Sequence, residues 1–189
     1  MQLVNLLQDG KPVRMSKRTG KAIALHDLLD EISVDAARYY FNNRAATSPL
    51  DFDLDLAVRQ DSDNPVYYVQ YAHARICSLL ANLAQDGDQV PAAAQVDAAL
   101  LSTEEERALI KNLAQYPQEL HLAARDYDPS RINRYLVALA GDFHRFYNAC
   151  RIKGEEHGLL SARLKLADTV RAVLANGLGL LGVSAPEKM

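Results

Sequence analysis

The sequence of 189 residues lacks tryptophan, has only two cysteines and contains no long apolar run. A membrane-spanning helix needs about 20 consecutive apolar residues, so none is predicted. Residues 1–10 carry neither the basic start nor the cleavage site of a signal peptide, which indicates a cytoplasmic protein. Cys77 and Cys150 lie far apart with no Cys-x-x-Cys spacing. We therefore expect two reduced thiols on helices rather than a disulfide or a metal site.

The sequence also has no excess of positive charge. Its 21 Lys and Arg residues are outnumbered by 24 Asp and Glu residues, and the net charge is −3. Proteins that coat nucleic acid without selectivity depend on many contacts between basic side chains and phosphates, so this composition counts against that class. A local basic or aromatic patch that recognises one feature of an RNA is still compatible with it. Apolar residues make up 49% of the sequence, enough for a sizeable buried core.

From residue 63 onward the spacing of apolar residues predicts helices and no strand. The predicted helices span residues 64–84, 102–116, 128–152 and 159–181. Two of them begin with an N-cap residue followed by proline, and one begins with a capping box. These signals are Asn64-Pro65, Asp128-Pro129 and Ser102-Thr-Glu-Glu105. Pro117 is expected to break or kink the second helix. Long helices joined by short loops predict a mainly α fold, an antiparallel helical bundle, for residues 63–189.

Residues 1–62 do not resemble a self-contained domain. Residues 2–8 suit a short buried strand, and helices are predicted at 25–32 and 34–44 before an irregular segment that includes residues 51–55. No partner for the strand is evident, and a lone strand normally belongs to a larger sheet. We therefore interpret residues 1–62 as a short remnant of a larger α/β core that precedes the bundle.

Three alternating carboxylates, Asp51, Asp53 and Asp55, have the opening spacing of a calcium-binding loop. Such a loop needs Gly at its sixth position and Glu at its twelfth, and the sequence has Leu56 and Ser62 there. The calcium site is therefore rejected. We expect no bound metal ion or prosthetic group in this chain.

A basic segment, Arg14-Met15-Ser16-Lys17-Arg18, follows the predicted strand and turn and precedes a helix. It resembles the Lys-Met-Ser-Lys-Ser loop of class I aminoacyl-tRNA synthetases, although only Met-Ser-Lys matches outright. The resemblance implies that Arg14, Met15, Ser16 and Lys17 bind ATP, which enters with Mg²⁺ as a substrate. It also implies that Lys17 is catalytic, because an ammonium group stabilises the charge that builds on departing pyrophosphate. The alternative for this segment is a solvated basic loop.

Further segments look like the successive blocks that follow this loop in bacterial arginyl-tRNA synthetases. They are residues 33–41, 50–57, 64–75, 143–151 and 176–189. The resemblance implies that residues 1–62 are the end of an α/β nucleotide-binding catalytic core and that residues 63–189 are an all-α anticodon-binding domain of the class I synthetase type. It implies a monomeric arginine–tRNA ligase whose partners are tRNA(Arg), arginine and ATP, with no membrane partner.

A second element that class I catalysis needs, of the His-x-Gly-His type, is missing from the sequence. The histidines are His26, His73, His121, His144 and His157, and none forms that motif. The arginine pocket would also lie outside these residues. We therefore expect that this chain alone cannot make arginyl-tRNA.

Two predicted helices each carry a row of ring or guanidinium groups. The rows are Tyr68, Tyr71 and Arg75 on one helix and His144, Tyr147 and Arg151 on the other. Unpaired bases of RNA loops stack on such groups, and each stacked base contributes about 1–3 kcal/mol. The resemblance implies anticodon contacts for Tyr68, Tyr71, Tyr147 and Arg151, and it places the terminal Met189 near the RNA. The alternative is that these tyrosines are half-buried packing residues.

Two other functions compete with the ligase interpretation. One is a non-catalytic helical module that binds tRNA or a protein through its surface. Such a module would have no use for a phosphate-binding loop beside a lone strand. The other is the equivalent part of another class I synthetase, such as the cysteine or methionine enzyme. The particular sequence of residues 64–75 favours the arginine enzyme over the cysteine and methionine enzymes.

Overall fold

The computed structural model describes residues 4–13, 24–45 and 47–189. In these ranges the strands are β1 (Val4–Gln8), β2 (Lys11–Pro12) and β3 (Leu50–Asp53). The helices are α1 (Leu25–Glu31), α2 (Val34–Phe41), α3 (Leu54–Val58), α4 (Pro65–Gln85), α5 (Glu104–Asp126), α6 (Ser130–Ala149) and α7 (His157–Leu181). Across these described ranges, no helix is long and apolar enough to cross a membrane.

A small sheet in the order β2-β1-β3 covers one end of the molecule. β1 pairs antiparallel with β2 and parallel with β3, with Leu6 opposite Phe52. The partners of β1, which were not evident from the sequence, are therefore β2 and β3. The prediction that residues 51–55 are irregular is wrong, because they belong to β3 and α3. In the sequence Leu50-Asp-Phe-Asp the apolar residues alternate with carboxylates, and this alternation places Leu50 and Phe52 on the buried face of the sheet.

Asn64 is the N-cap residue of α4, as predicted, but its side chain does not cap that helix. Its amide donates to the carbonyl oxygens of Ala57 at 3.3 Å and Arg59 at 2.7 Å. Its Oδ1 accepts from the hydroxyl of Tyr40 at 3.2 Å. The buried Asn64 side chain thus connects the start of the bundle to α2 and to the end of α3.

α5 differs from its prediction at both ends. Its capping box is formed by Thr103 and Glu106, one residue later than predicted. The helix also continues through Pro117 to Asp126, so the expectation of a break there is wrong. Packing on both sides of the proline holds the helix together, because the Tyr116 ring before it lies 5.1 Å from a ring of α6 and Ala123 after it is buried.

The four long helices run alternately up and down. Glu119 of α5 pairs with Arg131 of α6 at 3.3 Å, at the connection between the two helices. α6 and α7 approach closely at Gly177, where a Cβ would lie 2.6 Å from the Leu136 side chain, so a larger residue would force Leu136 to move. The predicted antiparallel bundle is confirmed, and its core is continuous with the residues buried under the sheet.

α2 is the main connection between the residues near the sheet and the bundle. The Asp35 carboxylate accepts hydrogen bonds from the amide of Gln70 at 2.9 Å and from the backbone N–H of Ser184 at 3.1 Å. One turn later, Nε of Arg38 donates to the carbonyl of Leu181 at 3.2 Å. These contacts attach the C-terminal segment to both α2 and α4.

Candidate nucleic-acid interface

The two predicted rows of ring and guanidinium groups lie on neighbouring helices that run in the same direction. Near the start of α4, the Tyr68 ring lies 5.0 Å from the His144 ring of α6. Two turns later, the Arg75 guanidinium lies 4.1 Å from the centre of the Tyr147 ring. Because α4 and α6 run in the same direction, both contacts follow each other along the two helices. The rows therefore form one strip along the surface of the bundle.

An open cleft of about 420 Å³ lies along the first part of this strip, and we call it the tyrosine cleft. It is lined by Ser62, Tyr67, Tyr68, Tyr71, Arg75, His144 and Asn148. The rings of Tyr67 and Tyr71 are nearly parallel, with centroids 6.1 Å apart and planes at 7°. Tyr71 is 40% exposed. The cleft thus offers flat aromatic faces to a ligand in solvent.

His144 lies at the floor of the tyrosine cleft and is neutral at pH 7. Burial disfavours the imidazolium form and the Arg75 cation repels it, which lowers the pKa of His144 to about 4. Its Nδ1 lies 3.5 Å from Nη1 of Arg75, so the neutral ring can accept from the guanidinium. Its buried Nε2 has no hydrogen-bond partner within the described ranges.

Arg75 joins the two halves of the strip. Its guanidinium lies 4.1 Å from the Tyr147 ring centre and 6.0 Å from that of Tyr71. Cation–π contacts of this kind hold a guanidinium in place while its charge stays available. A positive charge is thereby fixed between aromatic rings on a protein whose net charge is −3.

A second cleft of about 480 Å³ lies on the far side of Tyr147, and we call it the arginine cleft. It is lined by Leu79, Tyr147, Cys150, Arg151, Ile152, Lys153 and Gly154. Nε of the exposed Arg151 donates to the carbonyl of Lys153 at 2.9 Å. The structure therefore groups Tyr68 with Tyr71 and groups Tyr147 with Arg151, and Arg75 connects the two pairs.

Met189 lies next to the tyrosine cleft. It lines a polar cleft of about 310 Å³ together with Tyr67, Asn64 and Gln70. Just before it, the carbonyl oxygen of Pro186 lies 2.9 Å from Nδ1 of His73, which holds the C-terminal segment against α4. Tyr67 lines both clefts, so Met189 and the tyrosine cleft are contiguous.

Sequence reasoning missed three residues of the tyrosine cleft, namely Ser62 before α4 and two residues on the helices, Tyr67 and Asn148. Tyr67 precedes Tyr71 by four residues and Asn148 follows His144 by four, so each shares a helical face with a residue that was singled out. Widening each row to include the residue four positions before Tyr71 and the residue four positions after His144 would have found Tyr67 and Asn148.

The predicted phosphate-binding residues Arg14, Met15, Ser16 and Lys17 lie outside the described residues. The structure describes β2 just before them, where the N–H of Val13 donates to the carbonyl of Leu6 at 2.8 Å. In the part of the chain that is described, no group of three or more His, Cys, Asp or Glu side chains is placed to hold a metal ion.

Comparison with known proteins agrees with the resemblance found in the sequence. Residues 69–189 match the DALR anticodon binding domain. The arginine–tRNA ligase of Acetivibrio thermocellus is 53% identical over 188 residues, which cover 100% of this chain and 33% of the relative. The chain thus spans about a third of the length of that relative.

Solved structures agree with the observed architecture. A Campylobacter jejuni structure described as an arginyl-tRNA synthetase superposes with a TM-score of 0.85 at 33% identity, over 100% of this chain and 40% of that one. The Thermus thermophilus arginyl-tRNA synthetase superposes with a TM-score of 0.80 at 25% identity, over 97% of this chain and 34% of that one. The predicted fold class and the resemblance to arginyl-tRNA synthetases are confirmed. Because the matched residues 69–189 make up more than half of the chain, the chain belongs to the DALR anticodon binding domain family.

Proposed function

We propose that this chain is the part of an arginine–tRNA ligase that binds the anticodon loop of tRNA(Arg) and contributes a loop to ATP binding. In the full-length enzyme, ATP would activate arginine with release of pyrophosphate, and arginine would then be transferred to the tRNA. The observation that carries the proposal is the 53% identity to an arginine–tRNA ligase over the whole chain. The strip of rings on α4 and α6 supports it independently.

The tyrosine cleft is proposed to bind unstacked anticodon bases on Tyr68 and Tyr71. Bases of single-stranded loops stack on aromatic faces whatever their sequence, and hydrogen bonds to their edges then give selectivity. The nearly parallel rings of Tyr67 and Tyr71 present such faces. The neutral His144 ring and the amide of Asn148 lie in the same cleft and could bond to base edges.

The arginine cleft is proposed to bind a neighbouring nucleotide through Tyr147 and Arg151. Leu79 and Ile152 give it an apolar wall, and Arg151 and Lys153 place positive charge at its rim for the phosphates. Arg75 lines the tyrosine cleft and contacts the ring of Tyr147, which lines the arginine cleft, so this side-chain pair joins the two clefts. Met189, beside Tyr67, is proposed as a further RNA contact.

Residues 1–62 are proposed to be the end of the catalytic core, and residues 63–189 the anticodon-binding domain. In the core segment, Arg14, Met15 and Ser16 would contact the phosphates of ATP bound with Mg²⁺. The Lys17 ammonium would stabilise the pyrophosphate leaving group. We further propose that the full-length enzyme is monomeric and cytoplasmic.

A binding measurement on the 189-residue chain tests the proposal. A hairpin with the anticodon stem and loop of tRNA(Arg) is compared with the same stem carrying an altered anticodon. We expect clear preference for the arginine hairpin, because base contacts discriminate whereas phosphate contacts do not. Equal, weak retention of both hairpins would overturn anticodon recognition. The isolated chain should also catalyse no arginine-dependent exchange of pyrophosphate with ATP, and detectable exchange would contradict the assignment of 1–62 as an incomplete core.

A further inference from the structure

The arginine cleft depends on a segment that has no regular secondary structure. Residues 150–156 connect α6 to α7, and Arg151 lies in this connection. Cys150 and Ile152 are buried, while Arg151 between them is exposed. In an extended chain successive side chains point to opposite sides, so burial of these two neighbours directs Arg151 outward. The direction of Arg151 is therefore set by the backbone of this segment.

A buried ion pair lies directly behind that backbone. Nε of Arg163, on α7, donates to Oε1 of Glu106, on α5, at 2.6 Å, and Glu106 is 0% exposed. Nη1 of the same guanidinium donates to the backbone carbonyl of Arg151 and lies 3.4 Å from Oε1 of Glu155. One guanidinium thus joins the start of α5 to both ends of the connecting segment.

Glu106 is itself held by the capping box of α5. Its Oε2 accepts from the backbone N–H of Thr103 at 2.8 Å, and the hydroxyl of Thr103 lies 3.3 Å from Sγ of Cys150. Burial alone would raise the pKa of Glu106, but the hydrogen bonds from Thr103 and from Arg163 lower it. The carboxylate is therefore ionised and fixed, and its neighbour Thr103 touches the segment as well.

Stability alone does not account for a pair of this kind. Removing two charges from water costs several kcal/mol per ion, and replacing both partners of a buried pair by apolar residues is often neutral or stabilising. A planar guanidinium, however, sets the directions of several partners at once, which an apolar side chain cannot do. The Glu106–Arg163 pair can therefore fix the backbone geometry of residues 150–155.

We propose that Glu106 and Arg163 are positioning residues for RNA binding, which hold the backbone of residues 150–155 so that Arg151 lines the arginine cleft. The inference rests on the proposed function, since it requires that Arg151 contacts RNA. It assigns a role in recognition to two residues that lie inside the bundle and touch no ligand.

Arg163→Lys is the first test, because lysine keeps the charge next to Glu106 but cannot also reach the Arg151 carbonyl with a fixed fork. Binding of the 189-residue chain to the tRNA(Arg) anticodon hairpin should weaken by about tenfold, as for Arg151→Ala. Because both substitutions act on the same contact, the double variant R151A/R163K should lose no more than either single variant.

A second variant separates positioning from folding. In E106L/R163M both charges are replaced, and we expect a thermal midpoint close to that of the wild-type chain with the same loss of RNA affinity. Leu109→Ala is the matched control, since it removes a fully buried side chain of α5 close to Glu106 and should lower the midpoint without changing the affinity.

Three outcomes would overturn the inference while RNA binding stands. In the first, R163K or E106L/R163M binds the hairpin with wild-type affinity. In the second, R151A does not change the affinity for the hairpin. In the third, the losses of affinity in R151A and R163K multiply in the double variant. If the wild-type chain does not distinguish the arginine hairpin from the altered one, the proposed function itself fails and the inference fails with it.

Discussion

Tyrosines in the interior and tyrosines on the strip of α4 and α6 differ in how their hydroxyl groups are used. The interior group is Tyr39, Tyr40, Tyr116 and Tyr135, and the strip group is Tyr67, Tyr68, Tyr71 and Tyr147. Each interior hydroxyl donates to a protein acceptor, as Tyr116 does to Oδ1 of Asn176 at 2.6 Å. Over the ranges that the structure describes, the strip hydroxyls make no such hydrogen bond.

This difference bears on whether the strip tyrosines are merely packing residues. A tyrosine that serves packing alone usually finds a partner for its hydroxyl when buried. Burial accordingly raises the pKa of Tyr116, and it does the same for Tyr135. The strip tyrosines all line open clefts, and Tyr68 and Tyr147 also pack partly against the core. The spacing of tyrosines on a helix does not distinguish the two groups, whereas the hydrogen-bond partners of their hydroxyl groups do.

The largest expected effect that separates the groups is on stability. Tyr39 is 0% exposed, so Tyr39→Ala should lower the free energy of unfolding by about 3–5 kcal/mol through lost burial and a cavity. Tyr71→Ala should lower the free energy of unfolding by less than about 1 kcal/mol, because the Tyr71 side chain lies at the surface with 40% of its area exposed. Urea titrations of both variants measure the two losses, and losses of similar size would remove the distinction.

A smaller effect is expected from the hydroxyl alone. Tyr116→Phe leaves Oδ1 of Asn176 without its donor and should lower the free energy of unfolding by about 0.5–1.5 kcal/mol. Tyr71→Phe keeps the ring and loses no hydrogen bond to the residues that the structure describes, so its unfolding curve should overlay that of the wild-type chain. A loss in Tyr71→Phe as large as in Tyr116→Phe would mean that the strip hydroxyl has an internal partner after all.

A third effect depends on pH and tests the electrostatics of the strip. His144 has a pKa of about 4 in the folded chain, below its ordinary value of 6.5. The unfolded chain therefore binds a proton more readily, so the stability associated with the neutral ring is present above pH 6.5 and is lost as the pH falls toward 4. The difference in unfolding free energy between the wild-type chain and His144→Gln should shrink or reverse over that interval. His121→Gln, on the exposed side of α5, is the control, and a difference for His144→Gln that does not change with pH would contradict the assignment.

The sequence predicts the bundle well, because helix starts and apolar stripes are local signals. Asn64-Pro65 marks the start of α4, and α7 ends at Leu181 as its stripe indicates. Errors arise where long-range packing decides. α5 continues through Pro117 because α6 supports it on both sides, and β1 has a partner in β3, which lies about 45 residues further along the chain.

The candidate site is predicted in part. Spacing by three and four selects residues of one helical face, which explains why the chosen residues lie on one strip. It cannot show that α4 and α6 lie side by side and run in the same direction, nor that Arg75 stacks on Tyr147. The role of Glu106 is hidden for a different reason: in the sequence it is one of three consecutive glutamates, and only the fold shows that it is buried against Arg163.

The most direct test of the central claim compares two tyrosines for RNA affinity. Tyr71→Ala removes a ring from the tyrosine cleft, whereas Tyr127→Ala removes a ring that is 90% exposed and lines neither the tyrosine cleft nor the arginine cleft. With the tRNA(Arg) anticodon hairpin, Tyr71→Ala should weaken binding by about 1–3 kcal/mol and Tyr127→Ala should leave it unchanged. Unchanged binding in Tyr71→Ala, or equal losses in both variants, would contradict the claim that the strip on α4 and α6 was built to stack RNA bases.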